Sequence, residues 1–145
     1  MQVAAMDVTP IASETLHAAR ALLAANELPI DDLEDPAIHL LGAIEGGALL
    51  GVIGLQVCGR AGLLRSLAVS PAARGRGIAR ALCDRVFLLA AQQGLDGLWL
   101  LTTSARDYFA RHGFDEVARD RVPPAIRATA QFTSLCPSSA VVMRR

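Results

Sequence analysis

Residues 67–82 read LAVSPAARGRGIARAL: an apolar run, a glycine–arginine loop and a helical run in direct succession. No other stretch constrains the fold as much. Leu67-Ala68-Val69 ends the apolar run, Pro71 turns the chain, and Ile78, Leu82, Val86 and Leu89 then recur on one helical stripe. Gly75 and Gly77 have no Cβ, so a ligand can approach their backbone. The first N–H groups of the helix that follows lack intrahelical partners and carry the positive end of its dipole. Arg74 and Arg76 add charge-assisted donors. A strand, a loop and a helix start arranged in this way form an anion site suited to phosphate or pyrophosphate.

Two familiar phosphate loops are excluded. A dinucleotide fingerprint needs G-x-G-x-x-G, whereas Gly75-x-Gly77 is followed by Ile78, Ala79 and Arg80, and no acidic residue closes the next strand, GLWLLT (97–102). A P-loop needs lysine, and all 14 basic residues here are arginine. The same absence removes Schiff-base chemistry.

Around the loop the pattern alternates strands and helices. Residues 2–6 read as a first strand, and Pro10 precedes a helix that runs to about Asn26. Residues 28–36 (LPIDDLEDP) read as an acidic loop, either solvated or rimming a site for an amine. Strands are expected over 38–45, 48–57 and 61–69, joined at hairpin distances as an antiparallel meander. A helix over 76–93, a buried strand over 97–102, a helix over 104–112 and a strand near 115–119 come next. Pro123-Pro124 marks a break before a last strand near 139–144. The whole, residues 1–145, reads as a single domain of mixed α/β (α+β) class, and a chain of this length buries enough surface to hold a core without staples.

Zero formal net charge offers no general basic field for nucleic acid or an anionic membrane. No apolar run is long enough to span a bilayer, and the N-terminus lacks a secretory pattern. Cys58, Cys83 and Cys136 are odd in number and far apart, and His17, His39 and His112 show no ligand spacing. No metal site and a reducing, cytoplasmic setting are therefore expected. A mean hydropathy of +0.37 is compatible with an apolar homodimer face.

Arg74-Gly75-Arg76-Gly77-Ile78-Ala79 resembles the acyl-CoA signature R/Q-x-x-G-x-G/A of the GNAT superfamily of N-acetyltransferases. The order of meander, loop, long helix, strand, helix and Gly113-Phe114 is similar to that family from about residue 38 to 118. The resemblance implies a mostly antiparallel central sheet flanked by helices and splayed between its fourth and fifth strands. It implies acetyl-CoA as co-substrate, with its pyrophosphate on residues 74–79 and its pantetheine arm along Leu67, Ala68 and Val69. Its thioester would enter the splay and meet a small amine.

Departures from the family pattern matter for the chemistry. Many members place a tyrosine four residues before the glycine of "GF", to protonate the CoA thiolate. Phe109 stands there, as a CoA contact, and Tyr108 precedes it. One residue turns a helical side chain by about 100°, so Tyr108 is read as a proton donor or as a packed aromatic. The fourth-strand glutamate that serves many members as a base is replaced by Leu63 and Leu64, which leaves His39 and Glu45 as candidate bases. Arg65 suits a carboxylate or oxyacid, with Ser66 expected on the opposite face. Thr102, Thr103 and Ser104 end the strand beside the splay, and Ser104 also suits a helix N-cap. TTSARDYF (102–109) resembles bacterial amino-acid N-acetyltransferases. IRATAQFTSLCPSSAVVMRR (126–145) resembles GNAT proteins of arsenic-resistance operons, through Arg127, Thr129, Phe132, Ser134 and Cys136. Arg127 and Ser134 join the candidate substrate residues, whereas the single thiol of Cys136 makes a poor arsenite site.

Three functions stay open on these grounds. The first is acetylation of a small, amino-acid-like amine, with a resistance role against arsenical or other toxins. The second is an acetyl-CoA sensor or a degenerate member of the family. The third is a protein or peptide N-acetyltransferase.

Overall fold

The computed structural model describes residues 6–135 and 139–145. Seven strands form one sheet in the order β1-β2-β3-β4-β5-β7-β6. They are β1 (Asp7–Pro10), β2 (Ile38–Glu45), β3 (Ala48–Cys58), β4 (Ala61–Val69), β5 (Gly97–Thr102), β6 (Asp115–Val117) and β7 (Val141–Arg144). The helices are α1 (Ser13–Ala25), α2 (Ile78–Gln92), α3 (Arg106–Ala110) and α4 (Pro124–Arg127). Every described strand pair is antiparallel except β4 with β5. Among the described residues, no helix is long and apolar enough to cross a membrane.

Both faces of the sheet are covered. Leu41, Ile53, Leu55, Leu64 and Leu100 pack on Ile78, Leu82 and Val86 of α2 and on Phe109 and Phe114. On the other face Val52 and Ala68 meet Ala19 and Leu23 of α1, and Leu63, Trp99 and Val142 meet Ile126 of α4. Burial on both sides explains why β3 reads as a continuous apolar run rather than an alternation.

Two features of the sheet create the site. β4 and β5 pair only over Ala61–Leu63 and Gly97–Trp99, and from there to Val69 the β5-facing edge of β4 has no strand partner. A bulge lies opposite Ile53, between the Val52–Ala68 and Gly54–Arg65 pairs, so Ser66 and Leu67 face one residue of β3. Ser66 adopts φ 58° there. The extra residue reverses the alternation: Leu64 faces α2, while Ala68, four residues on, faces α1. The expectation that Ser66 points away from Arg65 fails for this reason, since Arg65 Nε donates to Ser66 Oγ at 3.1 Å.

Several boundaries differ from the sequence expectation. The first described strand is Asp7–Pro10, and most of the expected strand at 2–6 falls outside the described residues. Pro10 ends this edge strand, where its missing N–H costs nothing to the ladder. The expected helix at 104–112 contracts to α3, and Ser104 is not its cap. Thr102 Oγ1 accepts from the backbone N–H of Ala105 (2.9 Å) and of Ser104 (3.3 Å) instead. The break at Pro123-Pro124 proves to be the start of α4, with Pro124 at its first position. A π-helical turn at Gln131–Leu135 had no counterpart in the sequence reading.

Candidate active site

The glycine–arginine loop is built as its composition requires. After β4, Ser70 N–H returns to Leu50 O (2.8 Å), Pro71–Ala73 make one 3-10 turn, and Gly77 starts α2. Gly75 and Gly77 have φ of 82° and 78°, and a Cβ at either would meet nothing within 4 Å. Glycine is needed there for the left-handed backbone, not for space. No side chain caps α2 and no acidic residue lies in its first turn, so its leading N–H groups face an open pocket of about 450 Å3. Arg74, Gly75, Gly77 and Ala79 form one wall of that pocket, Tyr108 and His112 the other.

The two arginines of the loop part company. Arg74 lines the pocket and is held by Asn26 Oδ1 (3.1 Å) and Val69 O (3.3 Å). Arg76 turns to Glu45, with Nη2 2.7 Å from Oε2.

A second cleft, about 310 Å3, opens where β4 and β5 splay. Arg65, Ser66 and Leu67 form one side, Thr102 and Thr103 the other, and Asn26–Pro29 after α1 close one end. Tyr108 lines both pockets. Its hydroxyl is buried beside the Cys83 thiol without a bond of good geometry, and it is the sole described buried side-chain N or O atom with no partner. Burial, reinforced by Cys83, raises its pKa. The phenol therefore stays protonated at neutral pH and can donate.

Burial also pushes the Cys83 thiol up to about 11, with Asp84 adding to the rise. Between pH 9 and 11 the native state keeps a proton that the unfolded chain releases, so stability must fall as pH rises through that window. Thermal melts across pH 8–11 should show the decline, and Cys83→Ala should flatten it, whatever the variant does to the melting temperature at neutral pH. An unchanged slope in the variant would assign the decline to other groups.

The polar floor of the cleft is an internal network. Arg65, whose side chain is fully buried, makes a bidentate pair with Asp32: Nη1 to Oδ2 at 2.6 Å and Nη2 to Oδ1 at 2.5 Å. Nη1 also donates to Gln56 Oε1 at 3.0 Å. The acidic loop that could have rimmed an amine site is thus largely committed elsewhere. Glu34 pairs with Arg20 (2.8 Å), and Asp35 accepts from the N–H of Ala37 (2.9 Å).

The expected site residues divide accordingly. Arg65, Leu67, Thr102, Thr103, Tyr108 and Phe109 come together at the cleft. Phe109 is buried, packed edge-on to Phe114 at 5.6 Å. Val69, Arg74, Gly75, Gly77, Ile78 and Ala79 line the anion pocket. Ala68 sits in the α1-side core. His39 is exposed on β2, and neither it nor Glu45 lines the cleft. Arg127 is exposed, with Nε on Val122 O (3.1 Å). Ser134 falls in the π-helical turn, and Cys136 lies outside the described residues. Sequence reasoning missed Asn26, Glu27 and Gln131 as cleft residues. No local period marks them, because the turn after α1 and the π-helical turn reach the cleft from distant parts of the chain.

A splayed sheet beside a strand–loop–helix anion site is the architecture of an acyl-CoA-dependent acyltransferase. The model of the acetyltransferase (GNAT) family matches residues 7–114. The chain belongs to the GNAT family, whose members take acetyl-CoA as acetyl donor. An amino-acid acetyltransferase of Mycobacterium tuberculosis is 36% identical over 78 residues, covering 54% of this chain and 42% of that protein. N-acetylglutamate synthase of Neisseria gonorrhoeae, complexed with coenzyme A and N-acetyl-glutamate, superposes with a TM-score of 0.82 at 22% identity, over 99% of this chain and 35% of that one. A Mycobacterium tuberculosis protein in complex with CoA gives 0.80 at 23% identity, over 95% and 97%. The chain spans less than half the length of the amino-acid acetyltransferase and of the synthase.

Proposed function

We propose that residues 1–145 act as one acetyltransferase domain that moves an acetyl group from acetyl-CoA to the amine of a small, amino-acid-like acceptor. The observation that carries this reading is the position of Tyr108, which lines both the anion pocket and the splay cleft. A thioester with its pyrophosphate at α2 and its arm along the unpaired edge of β4 would deliver its sulfur to that junction. The cleft is at the small end of ligand pockets, which suits a metabolite more than a polypeptide segment.

The chemistry balances as follows. An alkylammonium gives up one proton and its nitrogen attacks the thioester carbonyl. The C–S bond breaks, the nitrogen loses a second proton, and the CoA thiolate takes one from the Tyr108 hydroxyl, which turns from Cys83 into the cleft to donate and is reprotonated by the second proton of the amine. Polar groups along the splay steady the developing oxyanion. Thr102 and Thr103 face the acceptor, and Arg65, held by Asp32, fixes the floor beneath them.

The amino-acid acetyltransferase and the CoA-bound structures support the class of acceptor. The narrower arsenic- or toxin-resistance role rests on the sequence resemblance of residues 126–145 alone. A cytoplasmic site of action suits the free thiols of Cys58 and Cys83. The partners of this reading are a small-molecule amine, no nucleic acid and no membrane, with a homodimer as the assembly that the apolar composition suits.

The test is acetyl-CoA consumption, read as free thiol, against amino acids, arsinic and phosphinic analogues, polyamines and peptides, with acetyl-CoA binding measured by calorimetry. Tight binding without turnover would leave a sensor; turnover of peptides alone would move the reading to a protein acetyltransferase. Tyr108→Phe should lower kcat by roughly 100-fold, the lower end for a general acid, while acetyl-CoA affinity stays unchanged. Unchanged kcat would return the tyrosine to packing and leave thiolate protonation to water.

A further inference from the structure

The chemistry of the acceptor, granted the reading above, follows from the charges that line the cleft. Among the described lining residues two are formally charged, Arg65 and Glu27. The charge of Arg65 is already met. Of its five N–H groups, two go to Asp32, one to Gln56 and one to Ser66, which leaves a single proton on Nη2. A guanidinium whose fork is occupied cannot grip a second carboxylate in bidentate fashion.

Glu27 is the opposite case. It follows α1 with φ 59°. Its N–H goes to Ala24 O (3.0 Å) and that of Leu28 to Leu23 O (3.0 Å), which closes the helix with a left-handed residue. Glycine is the residue this position favours, and an acidic residue there gives up stability. Glu27 forms no ion pair among the described residues. A strained backbone that carries an uncompensated carboxylate beside a cleft serves something other than the fold.

We propose that the acceptor is an alkylammonium compound with at most one acidic group, and that Glu27 receives its ammonium and takes up, directly or through one water, the first proton the amine loses. That proton passes on to solvent; the second N–H proton accounts for the thiol of free CoA. Glu27 thereby fills the role left open by Leu63 and Leu64 on β4. One acidic group of the acceptor can meet the hydroxyls of Thr102 and Thr103, while the Arg65 side chain stays sealed beneath the cleft surface. A second would enter a cleft whose net lining charge, with Asp32 set against Arg65, is that of Glu27 alone. The N-acetyl-glutamate of the Neisseria complex is therefore not carried over to this chain.

The experiment compares acceptors of one carbon skeleton: glutamate with two acidic groups, glutamine with one, and ornithine with one and an added ammonium. Native protein should turn over glutamine or ornithine with kcat/KM at least about 10-fold above glutamate. Glu27→Gln should lower kcat/KM for the preferred acceptor at least about 10-fold, narrow the gap to glutamate, and leave the acetyl-CoA Kd unchanged. Glu27→Gly should lose the same activity while its melting temperature rises, a combination that a purely structural role does not produce. Preference for glutamate or for an arsinic or phosphinic diacid, or full activity in Glu27→Gln, would overturn this inference and leave acetyl transfer standing. Acetyl-CoA binding with no turnover of any amine would overturn both.

Discussion

Asp32→Ala should destabilise the protein by about 3–5 kcal/mol, the usual cost of removing one partner of a buried pair. Arg65 has no exposed side-chain surface and Asp32 is 15% exposed, so the guanidinium keeps its charge with no counter-ion and no route to water. Gln56 and Ser66 supply acceptors but no charge. Against a total stability of about 5–15 kcal/mol for a domain, the melting temperature should drop by roughly 10 °C or more. Arg65→Met should cost less, because the carboxylate it orphans still reaches solvent. The double variant Asp32→Leu with Arg65→Met should recover most of the loss, since an apolar pair of similar volume removes the desolvation penalty. Chemical denaturation of the three variants measures the asymmetry. A loss below about 1 kcal/mol in Asp32→Ala would mean that water reaches Arg65 and that the cleft floor is not sealed.

Gly77→Asp should weaken acetyl-CoA binding by about 2 kcal/mol or more, roughly 30-fold in Kd. Two effects add. At φ 78° any Cβ is strained, at a cost of about 1–2 kcal/mol, and relief of that strain rotates the first N–H groups of α2 away from the pocket. The carboxylate also opposes a phosphate at a helix N-terminus, where one charge is worth about 0.3–1 kcal/mol. Gly77→Ala carries the strain without the charge and separates the two. Calorimetry with acetyl-CoA and with CoA alone reads the effect, and a Kd within 2-fold of native for Gly77→Asp would remove the loop from the binding site.

The parts of this molecule legible in the sequence are those set by local chemistry. The β2–β4 meander, α2 and β5 follow from period, apolar runs and turn residues, and their observed bounds lie within two residues of the expected ones. The geometry of the glycine–arginine loop was legible because glycines, arginines and a helix start occupy one contiguous stretch. Ser66 was misread because a bulge inserts one residue and reverses the alternation on which the expectation rested. Ser104 is no cap because α3 begins later, at Arg106 after Ala105, and the turn before it is held by the Thr102 hydroxyl, which accepts from two backbone N–H groups at once. Glu45 lies away from the cleft because β2 is separated from the β4–β5 splay by β3, and its carboxylate pairs with Arg76, 31 residues away.

By itself the sequence determined the class of fold, the CoA-type loop and its family, since each depends on contiguous residues whose geometry is set by backbone sterics and period. The acceptor end was decided by the tertiary structure alone. Asp32 and Arg65 are 33 residues apart, and nothing local to either says whether the arginine is free for a substrate or held by its own chain. The folding of the loop after α1 onto β4 settles that, and the same turn sets Glu27, in a backbone conformation suited to glycine, beside the cleft.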